Sequence, residues 1–254
     1  MKYEIIPCHY APKRRDLTNE NLSHSIFYGH CNFNCIFCNF RARPKLSHMH
    51  YDNKDFDTLL DELFKHSKNF KFTGGEPTLN PELIRHLTKI KDRGGIIYLD
   101  SNGSNPNVIE DLLKIGLVNV LGISLKGVTK EESVQVSRRN STLSWDNVFK
   151  TLRTAGNYTK VHTIVTLVFT KANYKGRINI FADLIKDIPN VQLKVNNLLG
   201  NNHKPNTYEL IRVQSEDLVD EVENFIAKNI EWKDRLILIN TLGAVNDYSK
   251  IQFY

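Results

Sequence analysis

The sequence predicts an α/β fold in which parallel strands alternate with helices. Short apolar segments rich in β-branched residues alternate with longer segments whose apolar residues recur at helical spacing, and this pair repeats six times. Repeated crossovers of this kind build a parallel sheet covered by helices. At 254 residues the chain also has a length at which α/β barrels form one domain. We therefore expect a single domain over residues 1–254, with a barrel core over 20–200 and a C-terminal helix and strand over 205–254.

The first three units are defined by their flanking residues as well as by their apolar pattern. The strands are predicted over 25–29, 69–73 and 96–100, and the helices over 55–66, 81–93 and 107–115. Polar residues precede the first helix, Gly94-Gly95 follows the second and Gly116 follows the third, as expected for helix ends.

The last three units follow the same order. The strands are predicted over 118–125, 161–170 and 191–198, and the helices over 144–155, 176–187 and 215–228. The segment VHTIVTLVFT at 161–170 is the clearest strand because it is dense in β-branched residues. Ser144 is the predicted cap of the helix over 144–155. A late strand over 236–240 (LILIN) is expected to pack beside the N-terminal residues 3–6.

Composition narrows the class of protein. The chain is 41% hydrophobic and 24% charged, as in ordinary globular proteins, and no apolar run is long enough to span a bilayer. The first residues lack the apolar core of a signal peptide, so a reducing cytoplasm is the expected compartment and a membrane is not an expected partner. The net charge of +6 is spread along the chain, with its densest groups at 13–15 and 41–45. This dispersion favours a solvated surface over a nucleic-acid partner.

Three of the four cysteines, Cys31, Cys35 and Cys38, lie in the octet CNFNCIFC. A disulfide is disfavoured in a chain without a secretory signal. A structural zinc site needs a fourth ligand, which His30 and Cys8 could supply only from outside the octet. Three thiolates on one loop can instead hold three irons of a four-iron cluster and leave the fourth iron open to a small molecule. Burial of three cysteines by chance at this spacing is the remaining alternative.

Polar segments follow the predicted strands at the points where the strands end. They are Thr73-Gly74-Gly75-Glu76-Pro77, residues 100–106 (DSNGSNP), residues 123–127 (ISLKG) and residues 196–200 (NNLLG). Each alone is as readily a turn or a helix cap. Because the carboxyl ends of parallel strands meet at one edge, together with the cysteine loop they predict a ligand-lined barrel mouth.

The octet, with Phe37 in its aromatic position, resembles the CxxxCx-aromatic-C signature of the radical S-adenosylmethionine (SAM) enzymes, and Gly74-Gly75-Glu76-Pro77 resembles their second motif. The resemblance implies a partial (β/α)6 TIM-like barrel, with a [4Fe–4S] cluster on Cys31, Cys35 and Cys38. It also implies that the Gly-Gly-Glu segment meets the amino group of SAM. It implies no residue that must act as a general acid or base.

Residues 72–127 narrow the resemblance to the glycyl-radical-enzyme activating enzymes, meaning the pyruvate formate-lyase activating and anaerobic ribonucleotide reductase activating group. The match extends over about residues 20–200. Asp100-Ser101-Asn102-Gly103 resembles the Asp-Thr-Asn-Gly of that group, which implies a monovalent-cation site beside the SAM carboxylate. Leu125-Lys126 resembles its Asp-Leu-Lys. The residues implied in SAM binding are Phe37, Gly74, Gly75, Glu76, Asp100, Ser101, Asn102, Ser124, Lys126 and Asn197.

This chain also departs from the group at several positions. Ser124 stands where the activating enzymes have an acidic residue, so the cation site loses one carboxylate. Asn197 falls near the position of a histidine, and Asn39-Phe40 replaces the usual Asn-Pro after the last cysteine.

The resemblance implies reductive cleavage of SAM to a 5′-deoxyadenosyl radical, which abstracts hydrogen from a glycine of a partner glycyl-radical enzyme. An external electron donor such as flavodoxin or ferredoxin would be required. Since Cys8 is the one cysteine outside the octet, a second cysteine-bound cluster is not expected. One alternative is modification of a ribosomal peptide or small metabolite, by epimerisation or cross-linking. Another is a non-catalytic metal sensor or scaffold that retains a degenerate cluster.

Overall fold

The structure is a computed structural model that describes residues 2–10, 22–38, 50–52, 56–138, 142–171, 173–197, 212–241 and 244–247. Its strands are β1 (Lys2–Tyr10), β2 (Leu22–Tyr28), β3 (His50–Asp52), β4 (Asn69–Gly74), β5 (Ile96–Ser101), β6 (Val120–Leu125), β7 (His162–Phe169), β8 (Val191–Asn197), β9 (Leu236–Thr241) and β10 (Ala244–Asp247). Its helices are α1 (Phe56–Phe64), α2 (Leu83–Lys91), α3 (Pro106–Lys114), α4 (Lys130–Ser137), α5 (Thr142–Gly156), α6 (Arg177–Ile185) and α7 (Ser215–Lys228). Two 3₁₀ turns cover Pro77–Leu79 and Ile230–Arg235.

All the described strands belong to one sheet, in the order β3-β1-β2-β4-β5-β6-β7-β8-β9-β10. Seven neighbouring strands pair in parallel: β2, β4, β5, β6, β7, β8 and β9. Strands β1, β3 and β10 pair antiparallel at the two ends of the sheet. Each parallel strand is joined to the next through at least one helix, which confirms the predicted α/β class and the partial (β/α)6 TIM-like barrel. The single domain over 1–254 stays a prediction.

The two faces of the sheet differ in chemistry because alternate residues of a strand point to opposite sides. On one face, Ile97 and Leu99 of β5 join Leu121 and Ile123 of β6 in the large apolar core that the helices cover. The opposite face holds polar groups between those strands, and there Tyr98 packs with Val120 and Ile164 in a second small apolar cluster. Burial of the first face secures the sheet, and the second face remains available for polar contacts.

The late strand does not pack where the sequence analysis expected. β9 pairs in parallel with β8, while β1 pairs with β2 at the far side of the sheet, with Tyr3 opposite Tyr28. The expectation for 236–240 was therefore wrong. Successive βα crossovers place each new parallel strand beside the preceding one, so the strand after α7 lies next to β8.

Helix boundaries show two further differences. The helix predicted from Ser144 begins at Thr142, so Ser144 is inside α5 and does not cap it. Helix α4 was not predicted, because it presents few apolar residues to a core. The sequence clue that predicts α4 is the capping pattern Thr129-Lys130-Glu131-Glu132. In the structure, the Thr129 side chain accepts a hydrogen bond from Glu132 N, and the Glu132 side chain accepts one from Val128 N. Leu198 and Asp55, predicted as strand and helix ends, lie outside the described residues.

We predict that the free energy of unfolding decreases on acidification because of His86. The ring is fully buried, lies 2.6 Å from Tyr28 Oη through Nδ1 and stacks on Phe56. Burial lowers the pKa of His86 from 6.5 to about 4. The unfolded chain therefore binds a proton as the pH falls below 6.5, whereas the folded chain does not until about pH 4. At pH 5 this linkage lowers the free energy of unfolding by about 2 kcal/mol relative to pH 7.5.

Urea unfolding of the wild type and of His86→Gln at these two pH values measures the effect. The variant should lose that part of the pH dependence, although burial also lowers the pKa of His24 and His162. His66→Gln is the matched control, since its side chain is 56% exposed. Equal pH dependence in the wild type and in His86→Gln would contradict the assignment.

Candidate functional site

The motifs singled out in the sequence lie at one edge of the sheet, where the parallel strands end. The cysteine loop follows β2, Gly75–Pro77 follows β4, Asn102–Asn105 follows β5 and Lys126 follows β6. Such an edge is where loops of βα barrels carry binding and catalytic groups. Residues 198–200 of the last predicted motif lie outside the described part of the chain.

The cysteine loop is held by backbone hydrogen bonds to helix α4. Asn34 N donates to Ser137 O at 2.9 Å, and Ile36 N donates to Val136 O at 3.0 Å. Phe33 is buried, while the three cysteines are half-buried and none is in a disulfide. The loop is therefore anchored through its backbone to the C-terminal end of α4.

The three cysteines supply the ligand type of a four-iron cluster, which binds each thiolate on a different iron. Among the described residues, no group of three His, Cys, Asp or Glu side chains could hold a single metal ion. Cys31 Sγ also accepts hydrogen bonds from Phe33 N at 3.4 Å and from Asn102 Nδ2 at 3.9 Å. Donors of this kind favour the thiolate form, whereas burial raises the pKa of the Cys31 thiol.

Backbone hydrogen bonds dock the Gly-Gly-Glu segment onto the start of the cysteine loop. Gly75 N donates to Tyr28 O and Glu76 N donates to His30 O, both at 2.7 Å. A Cβ at position 75 would overlap the His30 carbonyl group, so only glycine permits this approach. Gly74 has φ +103°, a region that residues with side chains avoid. The two glycines thus set the distance between the two motifs.

The carboxylate of Glu76 points into the protein. It is 1% exposed and accepts hydrogen bonds from Thr78 N (3.2 Å), Thr78 Oγ1 (2.6 Å), Ser101 Oγ (2.8 Å) and Asn102 N (2.6 Å). Burial raises the pKa of Glu76, and these donors oppose the rise. The carboxylate therefore joins the loops after β4 and β5.

Two asparagines connect the loop after β5 to the cysteine loop. Asn102 Nδ2 donates to Asn32 Oδ1, and Asn32 Nδ2 donates to Ser104 Oγ, both at 2.8 Å. Ser104 N in turn donates to Asn102 Oδ1 at 2.9 Å. Sequence analysis predicted Asn102 but missed Asn32, Ser104 and Thr78. The signal for Asn32 was an amide side chain directly after Cys31, within the octet.

Asp100 and Ser124 lie on the other face of the sheet. Asp100 Oδ2 forms an ion pair with Lys71 Nζ at 2.8 Å and lies 3.2 Å from Thr73 Oγ1. The Lys71 ammonium also lies 4.4 Å from the centroid of the Tyr98 ring. Sequence analysis did not single out Lys71. Asp100 therefore already has a positive partner, and the cation site implied by the resemblance stays a prediction.

The other predicted residues fall in different surroundings. Phe37 and Lys126 are half-buried, and the charge of Lys126 opposes the rise in the pKa of Cys31. Asn197 is fully buried and donates through Nδ2 to Val213 O at 3.0 Å, which joins the end of β8 to the start of α7. The structure thus brings together the cysteine loop, Gly75, Glu76, Ser101 and Asn102.

A parallel α/β barrel with a three-cysteine loop at the carboxyl edge defines a class of cluster-dependent enzymes, and comparison with known proteins identifies the family. The model of the Radical SAM superfamily matches residues 25–184. This range is more than half of the chain, so the protein belongs to the radical SAM superfamily, whose members use a [4Fe–4S] cluster and SAM.

Relatives with different activities match parts of the chain. A protein of Methanocaldococcus jannaschii, named as a candidate glycyl-radical enzyme activating enzyme, is 28% identical over 103 residues, which cover 40% of this chain and 42% of the relative. An S-adenosylmethionine-dependent nucleotide dehydratase of a Thermoplasmatales archaeon (strain ISO4-H5) is 32% identical over 113 residues, which cover 44% of this chain and 40% of the relative. The chain therefore spans about two-fifths of the length of these relatives.

The fold is shared with solved radical SAM structures. Streptococcus suis SuiB bound to its precursor peptide SuiA superimposes with a TM-score of 0.64 and 17% identity, over 84% of this chain and 47% of SuiB. At that identity the likeness shows the fold alone. Among the helices that the structure describes, none has the length and apolar character needed to cross a membrane.

We predict that Gly75→Ala displaces the cysteine loop. The added methyl group would meet the His30 carbonyl, so the two motifs must separate, at an expected loss of about 1–3 kcal/mol in stability. The free energy of unfolding, measured in urea, should decrease. The iron content per chain after anaerobic reconstitution with iron and sulfide should decrease as well. Gly29→Ala is the matched control in the same loop, because a Cβ there meets nothing within 4 Å. Equal iron loading in the two variants would contradict the docking argument.

We also predict that Glu76→Ala destabilises the protein as well as weakening SAM binding. Removal of the carboxylate leaves buried donors of Ser101 and Asn102 without an acceptor, at an expected loss of about 2–4 kcal/mol. Glu82→Ala removes a half-exposed carboxylate that pairs with Arg85 and should change the unfolding free energy by less than about 1 kcal/mol. Chemical unfolding compares the two, and isothermal titration with SAM measures binding. A Glu76→Ala variant as stable as Glu82→Ala would show that the carboxylate serves only the ligand.

Proposed function

We propose that this protein is a radical SAM enzyme that abstracts hydrogen from a glycine of a partner glycyl-radical enzyme. The observation that carries the proposal is the docking of the cysteine loop onto Gly75, Glu76 and Asn102. It joins the candidate cluster ligands and the candidate SAM contacts in one rigid unit. The narrower choice of substrate is supported by the similarity of residues 72–127 to activating enzymes and by the M. jannaschii relative.

Cys31, Cys35 and Cys38 would hold the [4Fe–4S] cluster. When bound, the cluster would supply the electron that cleaves SAM to methionine and a 5′-deoxyadenosyl radical. Asn102, through its amide, would donate to the sulfur of Cys31, and hydrogen bonds to cluster sulfurs tune reduction potential. The electron would come from an external donor such as flavodoxin or ferredoxin, because the sequence has one cysteine outside the octet.

The SAM pocket in this proposal surrounds the same loop. The carbonyl groups of Gly74 and Gly75 would accept from the amino group, and Glu76 would hold the segment in place, since its side chain and its backbone are engaged internally. Lys126 would attract the SAM carboxylate. The remaining residues proposed to line the pocket are Phe37, Asp100, Ser101, Asn102, Ser124 and Asn197. Of these, Ser101 and Asn197 would act by holding loops in position, because their side chains donate to groups of the protein.

The protein's part in catalysis is positional. Abstraction of a hydrogen atom needs the reacting atoms held close and shielded from water, and it needs no proton transfer. The carboxylates of this edge are engaged otherwise: Asp100 pairs with Lys71, and Glu76 is buried among donors. We therefore assign no general acid or base.

A second candidate function is modification of a peptide, such as epimerisation or cross-linking. It is favoured by the structural likeness to SuiB, a protein solved with its precursor peptide, over 84% of this chain. Both candidates share a polypeptide substrate and differ in whether a lasting radical forms on it.

The test is anaerobic reconstitution with iron and sulfide, followed by dithionite, SAM and a desalted macromolecular fraction of the host. EPR and quantification of 5′-deoxyadenosine are made on the same sample. We expect 5′-deoxyadenosine together with a persistent glycyl doublet. Cys35→Ala should lose both signals, whereas Cys8→Ala should retain them.

Cleavage of SAM without a protein radical would overturn the activating function in favour of modification of a peptide or a small metabolite. Equal cleavage by Cys35→Ala and the wild type would mean that the cluster ligands are wrongly assigned.

A further inference from the structure

A cavity of about 520 Å³ opens at the carboxyl end of β7, between the beginnings of helices α6 and α7. Its walls come from the turn after β7, which includes Lys171, Asn173 and Tyr174, and from residues 213–217 before and within α7. None of these residues is among those predicted to hold the cluster or SAM, although Val213 O accepts the hydrogen bond of Asn197. The cavity lies at the same edge of the sheet as the cysteine loop.

Two lysines bring positive charge to the cavity. Lys171 and Lys175 line it, are exposed and form no ion pair among the described residues. The Lys175 ammonium lies 5.9 Å from the centroid of the Tyr174 ring. Arg177 also lines it, but its charge is offset by an ion pair with Glu132. One carboxylate, Asp217, lies in the wall. An isolated surface lysine is ordinarily a solvated charge, whereas these two flank a concave space.

The walls also supply a fixed amide and an apolar surface. Asn173 Oδ1 accepts hydrogen bonds from Thr170 N at 2.7 Å and Thr170 Oγ1 at 3.0 Å. Its Nδ2 group donates to no described residue and remains available to a ligand. Val213, which is 1% exposed, and the half-buried Tyr174 supply the apolar part of the wall.

Helix α4 connects this cavity to the cysteine loop. Ser137, at its end, accepts the hydrogen bond of Asn34 N in the loop. Glu132, in its first turn, pairs with Arg177 of the cavity wall. One end of α4 therefore pairs with a residue of the cavity wall and its other end holds the loop of the candidate cluster ligands.

We propose that this cavity docks an acidic segment of the polypeptide substrate. Carboxylates of the segment would meet Lys171 and Lys175, and its backbone carbonyls would accept from Asn173 Nδ2. Its backbone N–H groups would donate to Asp217, and an apolar side chain would pack on Tyr174. A polyphosphate offers acceptors alone and has no donor for Asp217, whereas a peptide backbone supplies N–H donors, so the mixed walls suit a peptide better. The inference rests on the proposed function, because it presumes a polypeptide substrate.

The test uses a fluorescein-labelled peptide made of Glu-Glu-Ala repeats and an analogue in which each Glu is replaced by Gln. Each peptide is titrated with the reconstituted protein. Fluorescence anisotropy at low salt should show binding of the acidic peptide. Because an exposed ion pair contributes about 0.2–1 kcal/mol, the double variant Lys171→Gln, Lys175→Gln should weaken binding about fivefold. The control Lys160→Gln, Lys228→Gln removes the same charge from exposed positions outside the cavity and should leave binding unchanged.

Equal affinities of the two double variants, or equal binding of the Gln-Gln peptide, would overturn the proposal. Displacement of the labelled peptide by tripolyphosphate at lower concentration than by the unlabelled peptide would overturn it in favour of a phosphate ligand. SAM cleavage without substrate is measured on the same samples. Retained cleavage without lysine-dependent peptide binding overturns the docking site alone, whereas lysine-dependent binding by a wild type that cleaves no SAM supports the site and overturns the proposed function.

Discussion

The close approach of two backbone segments underlies the rest of the candidate site. Gly75 N and Glu76 N donate to the carbonyl groups of Tyr28 and His30, so the turn after β4 lies directly on the entry to the cysteine loop. The approach depends on the missing side chain at Gly75. Because parallel pairing of β2 with β4 places Tyr28 opposite Gly74, the sheet itself brings these carbonyls within reach. A local feature of one glycine thus sets the spacing of two motifs.

Buried polar groups then make the edge rigid. The Glu76 carboxylate collects donors from Thr78, Ser101 and Asn102, and Asn102 continues to Asn32 and towards the sulfur of Cys31. A buried network of this kind stabilises one arrangement, because an unpaired member would retain its full desolvation penalty. The network joins β2, β4 and β5, the three strands that precede the proposed cluster and SAM contacts. Helix α4 holds the same loop through the carbonyl groups of Ser137 and Val136.

Which features of the structure could be predicted from the sequence depended on the range of the interactions that form them. The six βα units, the parallel sheet and the gathering of the motifs at one edge could be predicted, because they depend on apolar periodicity and on the crossover rule. Helix α4 was missed because its stability depends on capping by Thr129 and on contacts with the cysteine loop, and it has little apolar pattern. The place of β9 was predicted wrongly because strand neighbours are chosen by crossovers between elements, and the apolar run LILIN carries no information about its partner.

The sequence by itself indicated the family of this protein: three cysteines at a spacing that resembles the radical SAM signature, two glycines before Glu76, and strands whose ends carry polar residues. Tertiary structure alone decided which way each polar side chain points. Glu76 is turned inward, Asp100 pairs with Lys71, and Lys171 and Lys175 share a cavity with Asp217. The physical reason is that motif spacing is a property of consecutive residues, whereas burial and ion pairing depend on residues that the sheet brings together from distant positions.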